Sequence, residues 1–152
     1  MTEEKLRRFL DACFIAKRIV ETLPELPDNM KPRHIHVLEA IWEQEKQQGF
    51  GRVSDISVQL EITMPSITKL VQELEAMEML RKETDPKDRR VTLLYLTEAG
   101  RECVNRYVRE FHREWAEKLP DISDAQVDEV IERIARLGET MPGRKEVKYG
   151  SR

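Results

Sequence analysis

The change of hydrophobic period after Leu80 is the feature that most constrains how this chain can fold. Before it, apolar side chains recur every three or four positions, which is typical of helices that face a core. Residues 81–96 instead read RKETD, PKDRR and VTLLYL, which predicts two antiparallel strands around a turn that begins at Pro86. An otherwise helical chain must therefore carry one β-hairpin with a charged tip.

The segment ahead of the hairpin predicts two short helices joined by a tight turn. The first opens at Val53-Ser54-Asp55, with Ser54 or Asp55 as its N-cap, after a turn at QQGFGR. The second begins after the good N-cap Thr63, with Pro65 in its first turn. Two such helices form a helix-turn-helix. The apolar face of the second comprises Ile67, Leu70, Val71, Leu74 and Met77.

Longer helices are expected on both sides of this segment. One runs from Glu3 to about Leu23 with a broad apolar stripe, and another runs from about Pro32 to Lys46. After the hairpin, Thr97 caps a long helix that Pro120 ends.

A last helix is predicted near the end of the chain. Ser123 or Asp124 caps it, Gly138 stops it, and the tail PGRKEVKYGSR is expected to fray.

Length and composition favour one domain over residues 1–152. No stretch approaches the roughly 18 apolar residues of a membrane span, and the charged N-terminus does not resemble a signal peptide. We therefore expect a cytoplasmic protein with no membrane partner. The net charge of −3 gives no global basic signature, so any nucleic-acid binding must come from local patches.

A helix-turn-helix followed at once by a hairpin is the winged-helix arrangement, in which the second helix enters the DNA major groove. Residues 81–90 hold five basic against three acidic side chains. Lys87, Arg89 and Arg90 suit phosphate or a narrow minor groove. Asp85 and Asp88 would orient the arginines through charge-assisted hydrogen bonds.

At these residues the chain resembles the MarR family of winged-helix transcription regulators. The family's wing signature is similar to D-x-x-D-x-R-x-x-L-x-x-L-T-x-x-G, and the likeness covers about residues 32–104. The resemblance implies that Arg90 enters the minor groove with Asp88 beside it, and that the helix after Thr63 is the recognition helix. The signature is met here by Asp85, Asp88, Arg90, Leu93, Leu96, Thr97 and Gly100.

The expected fold class is therefore mainly α with a small β-hairpin wing. Residues 32–101 would form the winged-helix DNA-binding lobe, 1–23 and 102–141 the dimerisation helices, and 142–152 a tail. The function expected is sequence-specific regulation of transcription, as a repressor that binds a palindromic operator as a homodimer.

Positions that the apolar face of the recognition helix leaves free are candidates to read bases or phosphates. Met64, Pro65 and Glu61 depart from the polar, basic or glycine residues that family members often carry there. Glu73, Glu75 and Glu78 outnumber Lys69, so the C-terminal half should point away from DNA. The predicted DNA contacts are Ser54, Thr63, Met64, Pro65, Ser66, Thr68, Lys69, Gln72, Lys87, Arg89 and Arg90.

The apolar stripes of the terminal helices exceed what a small lobe could bury, which predicts that they intertwine with those of a second copy. The resemblance also implies release from DNA by a small phenolic or anionic effector bound between these helices and the lobe. By expected location, the candidates to line that pocket are Lys17, His34, His36 and Trp42, although histidines near a helix start are also typical caps.

Other classes of function fit the sequence less well. A redox sensor would use Cys13, but this residue lies on the apolar stripe and is expected to be buried and inert. His34 and His36 face different sides of a helix, so no metal site and no cofactor are expected. No enzyme motif is present. The main rival, a winged-helix module that binds protein, has no need for Arg89 and Arg90.

Overall fold

The computed structural model describes residues 1–22 and 24–141, and confirms a mainly helical chain with a small antiparallel sheet. Leu23 and the predicted tail lie outside the described residues. The helices are α1 (Glu3–Val20), α2 (Pro32–Gln48), α3 (Val53–Gln59), α4 (Met64–Ala76), α5 (Glu98–Val104), a π-helix (Asn105–Glu110), α6 (Phe111–Ala116) and α7 (Asp124–Thr140); the strands are β1 (Gly51–Arg52), β2 (Leu80–Thr84) and β3 (Thr92–Leu96).

The predicted hairpin forms two of three strands in a sheet of order β1-β3-β2. Leu80 pairs with Leu96 at its base and Thr84 with Thr92 near its tip. The third strand, β1, lies where the sequence predicted only a turn. Its two residues are too few to show an alternating pattern.

One buried core fixes α4 against the rest of the winged lobe. Its fully buried side chains come from α2, α3, α4, β3 and α5, which therefore pack as one body. They include Ile35, Leu38, Ile41, Ile56, Ile67, Leu74 and Leu94.

Three predicted helix boundaries differ from the structure. The N-cap of α3 is Arg52, because Ser54 and Asp55 already lie inside the helix and bond to each other. The helix after Thr97 contains a π-helical segment and ends at Ala116, ahead of Pro120. Gly138 does not stop α7, which continues to Thr140; a lone glycine in a helix costs only about 1 kcal/mol relative to alanine.

The described residues divide into two compact units, one that ends at Arg113 and one that begins at Glu114. In the first, α1 buries none of its residues, and Phe14, Ile15, Ile19 and Val20 are exposed. In the second, α7 buries none either and exposes Val127, Val130 and Ile131. Both helices thus carry apolar faces that the described part of the chain leaves uncovered.

No helix among the described residues is long and apolar enough to cross a membrane.

Candidate nucleic-acid interface

The first turns of α4 present a polar and apolar surface to solvent. Thr63 caps the helix as predicted, its hydroxyl accepting from the Ser66 N–H at 3.4 Å. The Thr63 hydroxyl also donates to the hydroxyl of Ser66 at 2.9 Å, which leaves Ser66 half-buried. Because Ile67, Leu70, Val71 and Leu74 face the core, the exposed predicted contacts on α4 are Met64, Pro65, Thr68, Lys69 and Gln72.

A groove of about 340 Å³ brings the helix and the wing together. It is lined by Ser54 of α3, by Met64, Thr68 and Gln72 of α4, and by Arg90 of the wing. Five predicted DNA contacts from three elements therefore share one surface. The groove is also lined by Lys82, Val53, Val71, Val91 and Thr92, which the sequence analysis did not select. Lys82 could have been found from its place on β2, facing the same side as the wing arginine.

The wing arginine is held by its neighbouring carboxylate. The Nε and a terminal nitrogen of Arg90 donate to the two oxygens of Asp88, both at 3.0 Å, and its backbone N–H donates to the same carboxylate. These bonds lower the pKa of Asp88 and raise that of Arg90. The Arg90 side chain is 90% exposed, so the pair presents an oriented guanidinium to a partner.

The remaining signature residues build the turn and anchor its base. Asp85 is buried and accepts from the Lys87 N–H at 2.8 Å, while its own N–H donates to the Val91 carbonyl at 3.0 Å. At the base, the Thr97 hydroxyl donates to the Glu78 carbonyl at 2.6 Å. Lys87 and Arg89 are exposed at the tip, as a role in contacting phosphate requires.

Gly100 closes the signature for a steric reason. Any Cβ at this position would collide with the carbonyl of Met79, and that carbonyl accepts the Thr97 N–H at 3.1 Å. The Gly100 N–H in turn donates to the Thr97 hydroxyl at 3.1 Å. The end of the wing and the start of α5 are therefore packed backbone to backbone.

The acids of α4 are paired with cations of the same chain. Glu73 contacts His34 at 2.7 Å, Lys31 at 3.8 Å and Lys69 at 4.0 Å. Glu75 pairs with Lys82 of the wing at 2.5 Å. The C-terminal half of α4 thus turns its acids toward α2 and the wing.

Two of the candidate effector residues have contacts within the chain. His34 is buried; its Nδ1 accepts from the Lys31 N–H at 3.1 Å and its Nε2 meets Glu73. The ring of half-buried Trp42 lies under the ammonium of Lys46 at 4.0 Å. His36 is half-buried and Lys17 is exposed in the last turn of α1. A role of these four residues in ligand binding stays a prediction.

The two cysteines differ in their surroundings. Cys103 is buried against Met30, and burial raises the pKa of its thiol to about 11. Cys13 is half-exposed, so the prediction that it is buried is wrong for the single chain, because α1 buries no residue there.

The fold and the groove define a winged helix-turn-helix protein. Residues 25–107 match the family described as transcriptional regulator SarA/Rot, and the chain belongs to this family. This family match confirms the predicted resemblance to winged-helix transcription regulators, and the chain's structural neighbours share the fold.

Three proteins illustrate the likeness. The uncharacterized regulator YdgJ of Bacillus subtilis is 30% identical over 55% of this chain, which spans about half (51%) of that relative. The regulator MhqR of the same organism is 26% identical over 91% of this chain and 94% of its own. The structure of Bordetella bronchiseptica BpsR, whose DNA binding is regulated by 6-hydroxynicotinic acid, has a TM-score of 0.61 and 19% identity over 88% of this chain and 98% of that one.

Proposed function

We propose that this regulator is a homodimeric repressor that reads a palindromic operator through α4 and grips the flanking backbone or minor groove through its wing. The groove shared by Gln72, Thr68 and Arg90 carries this proposal. Amide and hydroxyl groups suit base edges, and an oriented guanidinium suits phosphate or a narrow minor groove. Repression would follow from occupying DNA that RNA polymerase needs.

The uncovered apolar faces of α1 and α7 support the homodimer. Side chains such as Ile19 (55% exposed) and Ile131 (54%) lie among several other exposed apolar side chains on the same helix, and so large an apolar face is unfavourable in water. A two-fold dimer would place two copies of α4 about 34 Å apart, one helical turn of DNA, and so match a palindrome.

Release by an effector is the second part of the proposal. BpsR, a structural neighbour, has its DNA binding regulated by an aromatic carboxylic acid. We infer that a small phenolic or anionic ligand binds this chain between α1 and the lobe, where Lys17, His34, His36 and Trp42 are candidates. Such a ligand would change the separation of the two α4 helices, which is the coupling that release requires.

The test is a competition assay by fluorescence anisotropy. Duplexes enriched by the protein from a random pool are labelled and competed with unrelated duplex at two salt concentrations. We expect resistance to competitor, and a salt slope that Arg90→Ala reduces by about one. If no sequence is enriched and Arg90→Ala leaves the slope unchanged, the chain is a winged helix that binds protein instead.

A further inference from the structure

Glu73 lies on the recognition helix but faces away from the groove, and its two carboxylate oxygens have different partners. Oε2 meets Nε2 of His34, on α2, at 2.7 Å and lies 3.8 Å from the ammonium of Lys31. Oε1 lies 4.0 Å from the ammonium of Lys69, one turn earlier on α4. One carboxylate therefore joins the helix to the core and also restrains a cation that could reach DNA.

The bond to His34 fixes α4 at one place on its length. His34 is 1% exposed, and its Nδ1 accepts the Lys31 N–H, so the neutral ring carries its hydrogen on Nε2 and donates it to Glu73. Losing this acceptor would leave a buried donor without a partner, which is costly. These contacts lower the pKa of Glu73, with the His34 hydrogen bond as the largest cause.

The contact between Oε1 of Glu73 and Lys69 affects how tightly the protein binds DNA of any sequence. Lys69 is the one basic residue in α4 and its side chain is 76% exposed. A lysine in this place can bind backbone phosphate, which adds affinity without sequence information. Glu73 competes with phosphate for this ammonium.

We propose that Glu73 is a specificity-determining positioning residue: it holds α4 through His34 and holds Lys69 back from the DNA backbone, so that affinity for unrelated sequences stays low. This inference rests on the proposed function and deepens it, because a bias against non-specific binding matters only in a protein that searches DNA. Glu73 itself does not touch the operator.

Glu73→Gln separates the two roles of this side chain, the hydrogen bond to His34 and the ion pair with Lys69. The amide oxygen of the new side chain can still accept from His34, whereas the negative charge beside Lys69 is gone. We expect affinity for unrelated duplex to rise about two- to fivefold, the range of an exposed ion pair, and its salt slope to steepen by about one. The ratio of operator to unrelated affinity should fall accordingly.

Three variants control the measurement. Glu78→Gln makes the same change of net charge just beyond α4 and should leave the slope as in wild type. The double variant Lys69→Gln/Glu73→Gln should lose the steeper slope, because the released cation is absent. Glu73→Ala also removes the acceptor for His34 and should weaken operator binding, about tenfold for one lost buried hydrogen bond.

Salt slopes on an unrelated duplex do not require a known operator, so the result is decisive in either direction. A Glu73→Gln slope equal to that of Glu78→Gln would overturn the inference. The proposed function would survive that outcome if Arg90→Ala still reduces the wild-type slope, and would fail separately if Arg90→Ala has no effect.

Discussion

At the scale of single residues, Glu61 in the turn between α3 and α4 adopts a backbone conformation that a residue with a Cβ does not favour. Glu61 has a φ of 53°, in the left-handed region, where a Cβ costs about 1 kcal/mol or more. The sequence pointed to this position, since related proteins often carry glycine there. Only the structure shows that the glutamate adopts the left-handed conformation and bears its strain.

Glu61→Gly should therefore stabilise the lobe by up to about 1 kcal/mol, because relief of the strain exceeds the added entropy of the unfolded chain. Denaturant unfolding measures this difference. Glu61→Ala removes the same charge but keeps a Cβ, and equal stability of the two variants would contradict the account.

The wing pair makes a second prediction at this scale. The bonds from Arg90 lower the pKa of Asp88, so their contribution is present above the ordinary aspartate pKa of about 3.9 and is lost as the pH falls through the lowered value. In Arg90→Ala the Asp88 pKa should rise toward its ordinary range, since only the backbone N–H of residue 90 then still donates to the carboxylate, and carboxyl NMR titration would report the change. Arg89→Ala should leave it low; the same Asp88 pKa in all three proteins would refute the pairing.

A third residue prediction concerns the thiols. With its pKa at about 11, buried Cys103 should not react with a disulfide reagent at pH 8 until the protein unfolds. Native Cys13→Ser should then show no reactive thiol, and denatured Cys13→Ser one. Rapid reaction of native Cys13→Ser would show that Cys103 is accessible.

At the scale of elements, the hairpin could be predicted because its signal is local. Pro86 opens the turn, and Thr97 and Gly100 mark the next helix within a few positions of the strand. The pairing of His34 with Glu73 could not be predicted, because 39 residues separate them and only the packing of α2 on α4 makes them neighbours. Nor does the sequence predict that the helix after Thr97 is π-helical at Asn105–Glu110.

The packing of the wing against α5 is tested by glycine substitutions. Gly100→Ala should destabilise the lobe by about 2 kcal/mol or more, because its Cβ collides with the Met79 carbonyl. Gly138→Ala is the matched control: nothing lies within 4 Å of an added Cβ there, and it should stabilise α7 by up to about 1 kcal/mol. Thermal melts that move in the same direction for both variants would contradict this packing.

At the scale of the whole molecule, the apolar faces of α1 and α7 were predicted from periodicity, and their exposure in the chain agrees with an assembly of two copies. Neither helix buries a residue, although each has a regular apolar stripe. The sequence alone does not distinguish packing against a second copy from packing within one chain, because both require the same apolar stripe.

Charged substitutions in these faces should dissociate the proposed dimer. Ile19→Asp and Ile131→Asp each place a carboxylate on an apolar stripe, so sedimentation at micromolar concentration should show monomers. Val58→Asp, at a 77% exposed position on α3, should remain dimeric. A wild-type protein that sediments as a monomer would remove the homodimer from the account.

The most direct test of the central claim is a hydroxyl-radical footprint on a duplex that the protein enriches from a random pool. The account predicts two symmetric protected regions about one helical turn apart, with flanking minor-groove protection that disappears in Arg90→Ala while the central protection by α4 remains. Absence of any protection would contradict the assignment of α4 to DNA, and flanking protection that persists in Arg90→Ala would contradict the assignment of the wing.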